Sequence, residues 1–399
     1  MEREYIRRKN NGPIRRPSRH NRPPWLLWGM IALVVLALVL FLIIRAVGGR
    51  NGSQEGEDAS SALATPIPEQ LQQDTQQPPA EPTPTPEAAL PQQSAPDSAP
   101  TDMGSFMVAN GSGYAYYEFS TETTNSYISA VTSLASNLEG SAQVYSLVAP
   151  TAMDILLPES YLSEYQVDSA DQRKAIDSYI IPSINAINPN VKTVPLYTAL
   201  RQHCNENIYF GTDSTWTQLG GYYAYGEFCR AKGIQALGLE QFEKKTYEGF
   251  MGGFASLAGE DSFYSDTVEA YLPGGNTSLS FTSADGEVSE GWQVISDGDG
   301  YSSSLLYLIF AAGDQPYKVL TNADITDGSS CLVVQDSFGN FFIPFLTQHY
   351  QNVYVVDYRS YSGSIPELAR EKGASDVIVL SNVIATSSSS AVEGLRSLL

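Results

Sequence analysis

Residues 25–44, WLLWGMIALVVLALVLFLII, run for twenty positions without a charge or an amide side chain. At about 1.5 Å of rise per residue, a helix of that length spans roughly 30 Å, the hydrocarbon thickness of a bilayer. Arg22 and Arg45 bracket the run, and Trp25 and Trp28 stand where interfacial aromatics lie. Charge gives the direction. Residues 1–24 carry eight Lys and Arg against two Glu; with these and with Arg45 and Arg50 set aside, the net −21 of the 399-residue chain becomes −29 over residues 51–399. The basic side belongs in the cytoplasm, which places the rest outside the cell. A cleaved signal peptide would have a shorter apolar core and a small-residue site close behind it. Here the nearest such triplet, Ala62–Ala64, lies far downstream. The reading is a basic cytoplasmic tail (1–24), one transmembrane helix (25–47) and the lipid bilayer as partner of residues 25–44.

Beyond the anchor, residues 51–103 hold ten Pro, with Gln, Ser, Thr, Ala and Glu supplying most of the rest. Such a composition buries too little apolar surface to offset its chain entropy, so 48–103 is expected to be a disordered tether. A pI near 4.4 argues against nucleic acid, whose phosphates would be repelled. Three cysteines and no C-x-x-C pair exclude a disulfide-stapled scaffold and a structural zinc site, and no cofactor is expected. Cys204 and Cys229 flank one candidate site and could pair outside the cell.

From residue 104 to 399 the composition is that of a globular domain, and two periodicities alternate. Helical spacing marks Thr123–Leu138, Gln172–Asn188 with a bend at Pro182, Thr217–Lys232, Phe341–His349 and Ile365–Lys372. Short apolar, β-branched runs mark strands at Ala142–Ala149, Val191–Val194, Cys331–Val334, Val353–Val356 and Asp376–Leu380. The alternation predicts an α/β domain of three layers, a mostly parallel sheet with helices on both faces. Residues 250–310, richer in Gly, Ser and Asp, read as an insertion of loops and hairpins.

Ligands of open parallel sheets bind beyond the carboxyl ends of the strands. Two junctions there carry reactive residues. In the first, LVVQDSFG (332–339), an apolar strand runs into Asp336 and Ser337 and then a helix. Ser337 is a candidate nucleophile, with the N–H groups of the next turn as oxyanion donors, or simply a helix cap. In the second, NIYFGTDSTWTQLGGYYAYGEF (207–228), a strand is expected to lead to Asp213. Trp216 and the cluster Tyr222, Tyr223 and Tyr225 could stack on sugar rings or fill the core.

These stretches, together with Gly313-Asp314-Gln315-Pro316, Pro344-Phe345-Leu346 and Val356-Asp357-Tyr358-Arg359, resemble the DHHW-motif proteins. Those are bacterial relatives of the SGNH hydrolases and of the alginate acetylation proteins. The resemblance implies an SGNH-like fold, Ser337 as nucleophile and Asp213 as the carboxylate that orients a base. It sets Asp314, Trp216 and Phe338 on the oxyanion and substrate side, and cell-envelope polysaccharide or an envelope-modifying protein as partner. The motif itself is degenerate. Its Asp-His-His-Trp is Asp213-Ser214-Thr215-Trp216 here, so Thr215 stands where the base histidine belongs.

A serine hydroxyl is a weak nucleophile until a neighbour takes its proton, which threonine cannot do. The chain has three histidines: His20 on the cytoplasmic side, His203 and His349. The sequence thus predicts a catalytically impaired domain, a pseudoenzyme of the serine esterase and acyltransferase class. An active esterase or O-acetyltransferase would require His203 or His349 beside Ser337, or a substrate-assisted route.

Overall fold

The alternating segments assemble, in a computed structural model that describes residues 90–399, around an eight-stranded mixed sheet. The segments expected to form a basic tail, a transmembrane helix and most of the tether lie outside the described residues, within which no helix is long and apolar enough to cross a membrane. The end of the expected tether is part of the folded unit. Gln93 Nε2 donates to the carbonyls of Asp154 and Ile155 at 3.0 and 2.9 Å, and Arg201 Nη1 donates to the Pro91 carbonyl at 2.7 Å.

Strand β1 (Thr101–Asp102), β2 (Phe106–Ala109) and β3 (Ser112–Ala115) form a small antiparallel sheet. Helix α1 (Thr121–Asn137) follows, capped by the Ser120 side chain, and then β4 (Gln143–Ala149) and β5 (Lys192–Val194). Helix α2 (Gln218–Lys232) begins at the Thr217 cap and stops at Gly233, whose φ of +80° suits a residue without a Cβ. Strands β6 (Glu243–Phe250) and β7 (Asp266–Leu272) pair as a separate hairpin. Next come β8 (Thr277–Thr282), β9 (Val288–Trp292), β10 (Tyr317–Asn322), β11 (Ser330–Gln335), α3 (Gly339–Leu346), β12 (Asn352–Asp357), α4 (Ile365–Glu371), β13 (Asp376–Asn382) and α5 (Ser389–Arg396).

The main sheet runs in the order β5-β4-β13-β11-β12-β10-β8-β9. The first five strands are parallel, as the sequence predicts, but β10, β8 and β9 are antiparallel. The expectation of a mostly parallel sheet is thus corrected to a mixed one. The region read as loops and hairpins supplies β8 and β9 to the main sheet. Strand β10 escaped the sequence reading because Lys318 and the half-exposed Tyr317, Val319 and Thr321 break its apolar run.

Alternate residues of the central strands face opposite layers, as a pleat requires. Val333, Val353, Val355 and Ile378 pack with Phe228, Phe341 and Phe342 of α2 and α3 on one side. Leu332, Val334, Val356 and Val377 pack with Ile128, Val131, Leu368 and Leu395 of α1, α4 and α5 on the other. The expected helix at 172–188 forms in three pieces, α-helical at Gln172–Ala175 and Ile181–Ile187 with a π turn at Ile176–Ile180 between them. The widened turn sits just before Pro182, which has no N–H to give to a regular ladder.

Candidate functional site

Strand β11 ends at Gln335, and Asp336 and Ser337 turn the chain into α3. The turn is held by Asp336, a buried carboxylate. Its Oδ1 accepts from the Phe338 N–H at 3.1 Å; its Oδ2 accepts from the Tyr358 hydroxyl, the Asn382 N–H and Asn382 Nδ2 at 3.0, 2.8 and 2.9 Å. Burial raises its pKa against these donors, all of which serve to hold the turn. Ser337 is left half-buried with its hydroxyl turned toward the loop before β10.

Ser337 Oγ donates to Asp314 Oδ2 at 2.8 Å and accepts from Arg359 Nη1 at 2.9 Å. Arg359 also reaches Asp314 Oδ2 through Nη2 at 2.9 Å, while its Nε meets Asp357 Oδ1 at 2.8 Å. A fork–fork pair with Asp357 therefore fixes the guanidinium. The other oxygen of Asp314 accepts from the Tyr307 hydroxyl at 2.5 Å and from Asn340 Nδ2 at 2.6 Å. Behind Asn340 stands Lys318, whose ammonium is fully buried and donates to Asn340 Oδ1 and, at 2.7 Å, to the Gly313 carbonyl. Burial pulls the Lys318 pKa down to about 8 against the pull of Asp314 and Asp357.

This arrangement is a poor catalyst of proton removal. Burial would raise the Asp314 pKa, but Arg359, Tyr307, Ser337 and Lys318 outweigh it and hold the carboxyl below its ordinary value. So weak a base cannot take a serine proton efficiently. The guanidinium draws electron density from the same oxygen. The N–H groups of Phe338, Gly339 and Asn340 are engaged within the turn, to Asp336 Oδ1, the Asp336 carbonyl and the Ser337 carbonyl. These three N–H groups are thus not free to serve as the oxyanion donors expected of them.

The Asp213 segment comes to this site by a different route from the one its sequence suggests. No strand precedes Asp213; residues 208–217 fold back on themselves through a single bridge between Tyr209 and Trp216 and a bond from the Thr217 N–H to the Ile208 carbonyl. Asp266 clamps the loop by accepting from the N–H groups of Gly211 and Thr212, each at 2.8 Å. Asp213 Oδ1 accepts from the Thr215 hydroxyl and N–H at 3.0 and 3.1 Å, and its Oδ2 accepts from the Gly253 N–H at 2.8 Å. A Cβ on Gly252 would fall 2.5 Å from that of Asp213, so the carboxylate needs a glycine beside it.

Trp216 is fully buried and cannot stack on a sugar, contrary to one of its two sequence readings. Its indole N–H donates to the Phe338 carbonyl at 2.8 Å, and the two rings meet edge to face with centroids 5.1 Å apart. Phe338 is likewise buried, and Asp314 is an acceptor that cannot serve as an oxyanion donor. Tyr225 belongs to the core, while the half-buried Tyr222 and Tyr223 donate to the Leu237 carbonyl and to Glu206.

Neither described histidine replaces the missing base. His203 Nδ1 pairs with Glu206 at 2.7 Å, and its ring stacks on Tyr223. His349 Nε2 meets the Tyr225 hydroxyl at 2.6 Å, and burial and Lys232 hold its pKa below the ordinary value. The cysteines are free: Cys204 receives a contact from Arg201, Cys229 lies near His349, and the pairing between them that the sequence left open is not formed. Arg359, Lys318, Tyr307 and Asn340 were not singled out from sequence. The one available signal was the carboxyl-edge rule applied to β12, since Arg359 follows that strand as Ser337 follows β11.

Among curated proteins none matches the chain. A DHHW family protein from Eubacterium siraeum, known from its crystal structure, is 26% identical with a TM-score of 0.66, over 75% of this chain and 97% of that one. PatB1 of Bacillus cereus, solved with a sulfonyl adduct, is 17% identical with a TM-score of 0.56, over 73% and 97%, and so shares the α/β fold with its mixed sheet. Residues 87–356 match the family described as DHHW protein, and the chain belongs to that family, with Asp213 and Trp216 kept from its name and both histidines gone.

Proposed function

We propose that the domain is a catalytically impaired SGNH-like module that binds a cell-envelope polysaccharide, or assists an enzyme that modifies it, held outside the membrane by residues 25–44. One observation carries the reading: Ser337 Oγ lies between Asp314 and Arg359, and the base position is Thr215, bonded to Asp213. The carboxylate that would orient an imidazole persists without one. The family resemblance supplies the glycan class. The convergence of a hydroxyl, a carboxylate and a guanidinium at the sheet edge supports it, because sugar hydroxyls both donate and accept.

The test is turnover of p-nitrophenyl acetate by the purified protein. Hydrolysis at the buffer rate in wild type and in Ser337→Ala is the expected result. Turnover well above buffer that disappears in Ser337→Ala would overturn the impaired reading in favour of an esterase or O-acetyltransferase.

A further inference from the structure

Where the loop after β12 meets the start of β10, the end of β8 and α4 lies a cavity of 390 Å³ that no part of the site described above uses. Its size falls within the roughly 300–1,000 Å³ of ligand pockets. Two of its walls continue the loops that hold the reactive cluster. Pro316 follows Asp314 by two residues, Ser360 follows Arg359 directly, and the loops are joined by the Asp357 N–H donating to the Pro316 carbonyl at 3.1 Å. A ligand in the cavity would therefore touch residues one position along the chain from Arg359 and two from Asp314.

The lining has the chemistry of a sugar face. Tyr317 and Tyr361 both line the cavity, with ring centroids 6.1 Å apart and planes tilted by 32°, and Leu368 adds aliphatic surface. The Tyr361 N–H donates to the Asp357 carbonyl at 2.8 Å, so the loop that carries Arg359 also sets this ring. A Cβ at Gly363 would lie 2.7 Å from the Tyr361 hydroxyl oxygen, and the absence of a side chain there makes room for the phenol. Ser360 and Ser362 place hydroxyls on the rim. The two charged groups of the lining neutralise each other, Lys372 Nζ meeting Glu371 at 2.9 Å. Aromatic faces bind the C–H faces of pyranoses while hydroxyls and a paired charge bind the ring's edge. The −29 carried by residues 51–399 disfavours an anionic polymer.

We propose that this cavity is a subsite for one neutral pyranose unit of the polysaccharide, with Tyr361 and Tyr317 as its stacking residues. The proposal rests on the glycan reading above and assigns that reading a place. Among the described residues a larger cavity, of 680 Å³, is lined by Asp102, Glu118 and Asp168, a wall of like charge, and serves as the control through Tyr165, one of its two tyrosines.

The experiment titrates the full chain in detergent micelles with tetra-N-acetylchitotetraose and with cellotetraose, by calorimetry. At least one tetrasaccharide is expected to bind wild type and Tyr165→Ala alike. Tyr361→Ala should weaken it at least fivefold, and Tyr361→Phe, which keeps the ring and the packing, should bind within twofold of wild type. Tyr317→Ala should weaken it in the same direction. Binding that is unchanged in Tyr361→Ala and Tyr317→Ala overturns the subsite and leaves the glycan reading standing. No binding of either sugar to wild type overturns the glycan reading, and the subsite falls with it.

Discussion

The indole of Trp216 donates to the carbonyl of Phe338, so that the residue after Thr215 is bonded to the residue after Ser337. One hydrogen bond thereby holds in register the two segments that a serine hydrolase would need to juxtapose. Besides the indole, the Phe338 carbonyl has only the N–H of Phe341, at 3.4 Å. Trp216→Phe should therefore lower unfolding stability by about 2 kcal/mol, through a lost hydrogen bond and a partly empty site. Urea denaturation measures it; a change within error would show that the tie is not needed.

Installing a histidine at position 215 is the most direct challenge to the proposed impaired state. Asp213 already accepts a hydrogen bond from position 215. Thr215→His offers it an imidazole N–H in place of the hydroxyl. General-base assistance contributes about 10²–10⁴-fold. Thr215→His should raise p-nitrophenyl acetate hydrolysis at least about 10²-fold over wild type, and Thr215→His with Ser337→Ala should return it to background. Failure would point to Arg359 and Asp314 as the stronger restraint on the hydroxyl.

Lys318 makes stability depend on pH. Its folded pKa of about 8 lies below the unfolded value, so between pH 8 and about 10.4 the unfolded chain binds the extra proton. Stability from this group therefore rises with pH through that window and is flat below it. Unfolding free energies of wild type and Lys318→Met at pH 7.5 and 9.5 should differ in slope, wild type gaining roughly 1–2 kcal/mol on the variant. Comparing the two proteins cancels the tyrosines that also titrate at the alkaline end. Parallel slopes would mean that the ammonium is not the titrating group.

Gly221 fixes how closely α2 approaches α3. A Cβ there would lie 2.6 Å from the Phe341 carbonyl oxygen, and backbone cannot swing aside. Alanine favours an exposed helix by about 1 kcal/mol, whereas overpacking costs about 1–3 kcal/mol. The contact wins: Gly221→Ala should be destabilised by about 1–2 kcal/mol in thermal or urea unfolding. A stabilised variant would show that the two helices can part without penalty.

Much of the domain was legible in the sequence because its central strands are buried on both faces and its helices have well-marked ends. The run CLVV with Asp336 and Ser337 behind it reads directly as β11 and its turn, and Thr217 and Gly233 bound α2 at the expected places. The antiparallel flank was not legible. Alternation in Tyr317–Asn322 is masked by Lys318, whose burial depends on Gly313 and Asn340, residues distant in pattern if not in number. The site divided in the same way. Ser337 and the loss of the base at Thr215 follow from the local motif, whereas the roles of Arg359 and Asp314 depend on three strands meeting. The sequence leaves Trp216 open between sugar platform and core, because an aromatic residue beside a loop gives no sign of whether a carbonyl waits inside for its N–H.

Reversal of β10 relative to β12 has a geometric outcome for the whole molecule. A reversed neighbour starts where the others finish, so Asp314 and Tyr307 reach the reactive rim from the approach to a strand, while Ser337 and Arg359 reach it from departures. Two independent stretches of chain, under different folding constraints, thus share one small surface. Changes in the approach to β10 can retune that surface without disturbing the parallel strands that anchor the serine.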